Sequence, residues 1–321
     1  MGEFGQSGYK NIPKDEVGGG DASKVMQFYF DKDQRGLKRR VLFLDGEDGM
    51  PLGFHLHSHY VNSTGKRVEE VCLLRNHIAD RCPLCEHTFL SKDKKTDEEK
   101  EMKWYPSYVG CYSIFDMGTP RMVDGKPRLV PVERTYKGKV YRDQWRRKLL
   151  LLKRGGDARP GMLTKITDMV GREFGEEVPN FKGTIFDVVR NAGDQTDRVG
   201  DSWTLLKKSE DQPVRLAPSE WIYYFRERGM TDAELENVTK YRNLEPFDHR
   251  AMWRPKTAAQ LDHVLAVALG HAAEEPRERE QPRGAEGAGA HGDYEGSGVG
   301  DPPEGFFPDG ADVPMDDGIP F

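Results

Sequence analysis

The chain has 321 residues, with 48 Lys and Arg, 54 Asp and Glu, 9 His and a formal net charge of −6. Only 36% of the residues are hydrophobic and 32% are charged, too polar a mixture for the whole chain to pack into one core. No apolar run approaches the roughly 20 residues of a membrane helix, the first residues carry no basic or apolar signal segment, and the 4 cysteines do not form a disulfide scaffold. A cytoplasmic, reducing setting is the expectation.

In chain order, residues 1–24 are rich in glycine, including Gly18-Gly19-Gly20, and read as a flexible N-terminal arm. Residues 25–31, 39–45 and 52–61 read as strands, with Asp45-Gly46-Glu47-Asp48-Gly49 as a turn between the second and third. The charged stretch 86–103 suits a helix or a loop. An aromatic strand is expected over 104–116. Residues 139–154 pass from a basic, aromatic segment into Leu149-Leu150-Leu151-Leu152, the signature of a core strand. Pro160 to Phe174 reads as a helix closed by Gly175. Two further strands are expected over 183–190 and 201–208. After Pro218 the texture turns helical, with capping boxes at Thr231/Glu234 and Thr257/Gln260 and Gly270 as a terminator.

About seven short strands with a few helices predict a mainly β, α+β chain, best matched by a small OB-fold-like barrel with an inserted loop. The expected organisation is an arm over 1–24, a core over 25–213 with a metal loop at 55–87, a helical extension over 214–273 and a disordered tail over 274–321.

The net charge hides two opposed blocks. Glu274 to Phe321 holds 13 acidic and 3 basic residues, together with 10 Gly and 7 Pro. Such a segment buries too little apolar surface to offset its ordering entropy. It ends in Asp316-Asp317-Gly318-Ile319-Pro320-Phe321, where carboxylates precede an apolar tip suited to docking on a partner. Lys126 to Arg159 holds 12 basic and 3 acidic residues, with aromatics between the cations. Cations neutralise phosphates and release counterions, and rings stack on unpaired bases. The candidate phosphate contacts are Arg39, Arg40, Arg134, Lys137, Lys139, Arg142, Arg146, Arg147 and Lys148. The candidate stacking residues are Tyr105, Tyr108, Tyr112, Tyr136, Tyr141 and Trp145. Side chains alternate across a strand, so only about half of these can face one groove.

Cys72, Cys82 and Cys85 lie close together in sequence, and Cys82-Pro83-Leu84-Cys85 is the CxxC knuckle that aims two thiolates at one metal. A closed tetrahedral site needs a fourth ligand, and His55, His57, His59, His77 and His87 are all within reach. Cys111 sits in the aromatic strand and reads as an ordinary buried thiol. Four protein ligands make a structural site rather than a catalytic one.

The spacing His59-x12-Cys72-x9-Cys82-x2-Cys85 resembles the zinc motif of the single-stranded DNA-binding, or helix-destabilising, proteins of T-even phages. That resemblance implies one structural Zn²⁺ held by His59, Cys72, Cys82 and Cys85 inside an OB-fold. It also implies a non-enzymatic protein that coats single-stranded DNA in replication, recombination or repair, in the cytoplasm of an infected bacterium. The tip is similar to that of bacterial single-stranded DNA-binding proteins, which implies recruitment of replication and recombination proteins through Asp316, Asp317, Ile319, Pro320 and Phe321. Self-association belongs to the same expectation, but the family's compact N-terminal basic motif is missing: only Lys10, Lys14 and Lys24 stand there, among acids. The alternative is a zinc-dependent deaminase or nuclease, or a zinc-ribbon adaptor for duplex DNA or RNA. A deaminase needs an H-x-E pair beside P-C-x-x-C, and His55-Leu56-His57 lacks the glutamate.

Overall fold

A computed structural model describes residues 25–30, 34–61, 66–90, 103–136, 139–156, 158–191, 198–209 and 212–271. The expected arm and tail, including the Asp316–Phe321 tip, and Lys137 lie outside the described residues.

The strands in chain order are β1 (Lys38–Phe43), β2 (Leu52–Val61), β3 (Lys66–Val71), β4 (Pro106–Val123), β5 (Lys126–Val130), β6 (Val132–Tyr136), β7 (Lys139–Asp143), β8 (Arg146–Lys153), β9 (Gly155–Gly156), β10 (Arg159–Pro160), β11 (Ile185–Val189), β12 (Ser202–Leu205), β13 (Lys207–Ser209) and β14 (Gln212–Pro213). The helices are α1 (Pro83–Phe89), α2 (Met162–Phe174), α3 (Pro218–Glu227), α4 (Asp232–Lys240), α5 (His249–Met252) and α6 (Ala258–Ala268). The chain is therefore mainly β with helical additions, built on a large antiparallel sheet.

β4 is the spine of that sheet. One of its edges pairs first with β2, from His57 opposite Pro106 to Leu52 opposite Cys111, and then with β1, from Phe43 opposite Ile114 to Arg40 opposite Gly118. Its other edge pairs with β8, from Val109 opposite Lys153 to Asp116 opposite Arg146, and then folds back on β5. The β4–β5 turn places Asp124 and Gly125 at φ 50° and 71°, the two positive values that a tight hairpin with right-handed twist requires. β3 extends the sheet beyond β2, while β11 and β12 extend it beyond β1.

Both faces are covered, which explains the unbroken apolar run Leu149–Leu152. On one face Leu150 and Leu152 join Phe43, Tyr112, Ile114, Phe186 and Trp203, and α2 lays Leu163, Ile166 and Val170 against them. On the other face Leu149 packs with Phe54, Cys111 and Trp253, while Phe115 and Trp145 meet Trp221, Tyr224 and Phe225 of α3. Each of these large side chains contributes roughly 1.5–3 kcal/mol by leaving water.

Several sequence expectations hold in detail. β2 covers 52–61. Gly175 closes α2 at φ 67°. Both capping boxes form, with the hydroxyls of Thr231 and Thr257 accepting the N–H groups of Glu234 and Gln260. Others shift: α2 is capped by Gly161 and Pro160 belongs to β10. The aromatic strand runs on to Val123, and among the described residues 25–30 only Gln27 forms a bridge, to Leu149.

Candidate functional site

His57, Cys72, Cys82 and Cys85 are all buried, and their ligand atoms lie within 4.8 Å of one another. β2 carries His57, Cys72 follows β3, Cys82 caps the N-terminus of α1, and Cys85 lies in that helix. Pro83 at the first helical position fixes the turn that brings the two knuckle thiols together. The separations are 3.5 Å from Cys72 Sγ to Cys85 Sγ, 3.4 Å from Cys82 Sγ to His57 Nε2, and 3.6 Å from Cys85 Sγ to His57 Nε2. A tetrahedral ion with metal–sulfur bonds near 2.3 Å and metal–nitrogen bonds near 2.0 Å needs ligand–ligand edges of about 3.5–3.8 Å. The residues present therefore fit a metal ion.

The surroundings orient the imidazole. His57 Nδ1 donates to the carbonyl of Trp104, which leaves Nε2 facing the thiols, the usual outer support of a metal-binding histidine. Trp104 is in turn held to α1, because its N–H donates to Thr88 Oγ1 at 2.9 Å and that hydroxyl donates to Leu84 O. Burial opposes charge on His57, but hydrogen bonds and charge from Cys72 and Cys82 outweigh it and hold the pKa up to about 9. Hydrogen bonds from Cys72 and Cys85 push the Cys82 thiol down, while Cys72 and Cys82 push Cys85 up.

The expected fourth ligand is thus corrected. Cys72, Cys82 and Cys85 come together as expected, but His57 and not His59 completes the cluster. Side chains two apart on a strand share a face but are separated by roughly 6.8 Å along it. His59 is displaced by that step and packs its ring 5.1 Å from that of Trp104. His87 is buried on α1, and His77 lies exposed in the loop between the cysteines.

The candidate nucleic-acid contacts separate sharply. Arg39 and Lys148 cannot reach phosphates: their side chains are 1% and 2% exposed, and both pair with the buried carboxylate of Asp116. Arg39 also donates to Tyr29 O and lies over the rings of Phe28 and Phe30. Tyr112 and Trp145 are buried among core aromatics and cannot stack on bases. Arg40 is held by Asp187 at 2.7 and 2.9 Å. Arg147 lies over the Phe247 ring and donates to Glu245 O and Pro246 O. Arg146 is half-buried. Buried cations are retained in a protein interior only with a partner, and Asp116 supplies it from within an apolar strand. Arg134 and Tyr136 on β6, and Lys139, Tyr141 and Arg142 on β7, belong to a hairpin described through its backbone pairing alone.

Two of the expected aromatics do reach the surface. Tyr105 is 45% exposed and its ring lies 6.0 Å from that of Phe89, itself 59% exposed. Tyr108 is half-buried beside its cross-strand partner His55, with ring centroids 5.1 Å apart and nearly perpendicular. The guanidinium of Arg154 lies 5.9 Å from the Tyr108 ring, and the backbone N–H of Arg154 donates to Tyr108 O at 3.0 Å. Burial, then the charges of Arg75, Arg154 and His77, lower the pKa of His55, and the loop that carries the exposed Arg75 and His77 is tied to the His55 backbone through Asn76. This cluster unites β2, β4, the end of β8 and the metal loop. Arg154 lies inside the basic block counted from sequence. Arg75 gave no sequence signal, because only the fold of the metal loop, tied to His55 through Asn76, brings it to this edge of β2.

Among the described residues no helix is long and apolar enough to cross a membrane. No protein-family model matches the chain, and no curated protein matches it.

Proposed function

We propose that the chain is a sequence-tolerant, non-enzymatic single-stranded DNA-binding protein with one structural Zn²⁺. The observation that carries this reading is the Tyr108 ring, packed against His55 with the Arg154 guanidinium 5.9 Å away, on the strand edge to which Asn76 ties the exposed loop of Arg75. An aromatic ring with a guanidinium beside it and a basic loop at the same edge suits an unpaired base with its flanking phosphates. The exposed Tyr105–Phe89 pair adds a second ring surface close in sequence. Three thiols and one imidazole form the donor set that favours zinc over harder cations, and four protein ligands complete its coordination. The ion would cross-link the loop to β2.

An OB-like closure of the sheet is supported by residues 25–30. Phe28 N–H donates to Leu149 O on β8, and Phe30 N–H donates to Arg198 O just before β12. The phage-like role in replication, recombination or repair rests on the resemblance of the cysteine spacing and of the tip, whose Asp316, Asp317, Ile319, Pro320 and Phe321 would recruit partner proteins.

A fluorescence titration of the full chain with oligo-dT, duplex DNA and RNA across a salt series tests the reading. Single strand is expected to bind more tightly than duplex, with an affinity that falls steeply with salt. Tyr108→Ala is expected to cost about 1–3 kcal/mol of that affinity. Salt-insensitive binding, or equal affinity for duplex, would overturn it.

A further inference from the structure

The loop carrying Arg75 is tied at once to the metal cluster and to the proposed nucleic-acid site. The N–H of Arg75 donates to Cys72 Sγ at 3.4 Å. Asn76, the next residue, spends its whole amide on the junction. Its Nδ2 donates to Cys72 O at 2.7 Å and to His55 O at 2.9 Å, and its Oδ1 accepts the His55 N–H at 2.8 Å. The Cys72 N–H donates to the same His55 carbonyl at 2.9 Å. His77 then adopts φ 56° and turns the chain back, and the Ile78 N–H closes the turn on Leu73 O at 2.9 Å. One side chain thus joins the backbone of a cluster cysteine to the residue that faces Tyr108.

We infer that Asn76 is a positioning residue that lets the occupied metal cluster hold Arg75 beside the His55–Tyr108 pair, so that metal content sets the number of phosphate contacts. This inference rests on the single-strand reading above. A metal bound to Cys72 and Cys82 closes the loop at both ends, and Asn76 passes that constraint to β2. Without either, Arg75 loses its fixed place and its phosphate contact becomes entropically costly.

The test uses the full chain and two readouts: metal per chain, from release to a chromogenic chelator, and the slope of log affinity for oligo-dT against log salt. One lost phosphate contact on a single strand makes that slope shallower by about 0.7. Arg75→Gln should produce that change with the metal retained. Asn76→Ala should produce the same change with the metal retained, and the double variant should add nothing further, since both remove one contact. Metal-stripped wild type should match them. If Asn76→Ala sheds its metal, Asn76→Asp, which keeps the acceptor for His55 N–H and loses both donors, carries the same comparison. A metal-loaded Asn76 variant with the wild-type slope, even at lowered melting temperature, overturns the inference alone. A wild type with no salt-dependent binding to oligo-dT overturns the single-strand reading instead.

Discussion

Asp116 offers a sharp test of how the basic residues are used. Its carboxylate is fully buried and serves two cations, Lys148 Nζ at 2.9 Å and the guanidinium of Arg39, while Oδ1 accepts the N–H of Gly118 at 3.1 Å. Asp116→Asn keeps the shape but leaves two buried cations without a counter-charge. Breaking a buried pair in this way costs about 3–5 kcal/mol. Lys148→Met is the complementary change, because Asp116 and Arg39 then remain as a one-to-one pair. It removes a charge-assisted hydrogen bond of about 1.5–3 kcal/mol but also relieves a buried ammonium of a desolvation penalty of several kcal/mol. Its net cost should lie within about 1–2 kcal/mol of zero. Urea denaturation measures both, with the cost taken from the midpoint at constant slope. The oligo-dT salt slope of Lys148→Met should equal that of the wild type, because the side chain never meets solvent. Equal destabilisation by the two changes would refute the ionic-core argument. A slope shallower by about 0.7 in Lys148→Met would return this lysine to the proposed nucleic-acid surface.

Two further predictions follow from the buried histidines. His57→Ala should abolish stoichiometric metal binding while His59→Ala retains it, as measured by metal release to a chromogenic chelator; the reverse pattern would restore the spacing-based assignment. His249 is buried against Asp45, Ser113 and Cys111, at 2.8, 3.0 and 3.3 Å. Burial opposes its charge, and Cys111 and Asp45 outweigh burial to hold the pKa up to about 10. An unfolded histidine titrates near 6.5, so the stabilisation is full below that pH, declines as pH rises, and is gone above about 10. Wild type should therefore lose stability relative to His249→Gln between pH 7 and 10, by at most about 1.4 kcal/mol per pH unit; parallel denaturation curves would refute this.

What the sequence revealed depended on how local the cause was. β2 was legible because apolar Leu52, Phe54 and Leu56 alternate with Gly53, His55 and His57 along its first six positions. Both capping boxes were legible because their partners are three residues apart. β4 was read short because Gly118 and Pro120 look like strand breakers. In the fold, however, Gly118 takes φ 87° where its Cβ would strike Val130 O, and Pro120 sits in the β4–β5 hairpin beyond the sheet's centre. β3 escaped notice because Lys66-Arg67-Val68-Glu69-Glu70-Val71 is an edge strand dominated by charge. The cysteines announced a cluster that could hold a metal ion, but the choice among three histidines on one strand face depends on where Trp104 and α1 sit. Arg39 and Lys148 look like surface cations until Asp116, 77 and 32 residues away in sequence, is placed between them.

The helical extension follows from the same packing. It runs along the second face of the sheet as a strap. α3 and Val238 of α4 cover Phe115 and Trp145. Trp253, just beyond α5, meets Phe54 with ring centroids 5.1 Å apart. α6 ends the strap on the metal loop, where Leu261 and Ala268 share one apolar cluster with Cys72, Cys82, Cys85 and Trp104. Two ion pairs fix that end, Arg81 with Asp262 at 2.8 and 2.9 Å and Lys256 with Glu70. The first is exposed and adds little beyond orientation, so the apolar cluster supplies most of the hold. The cysteine cluster therefore lies between strand, loop and strap, and its burial depends on residues nearly 200 positions from Cys72. An ion there would bind more than a loop: it would sit where the sheet and the last helix of the extension meet.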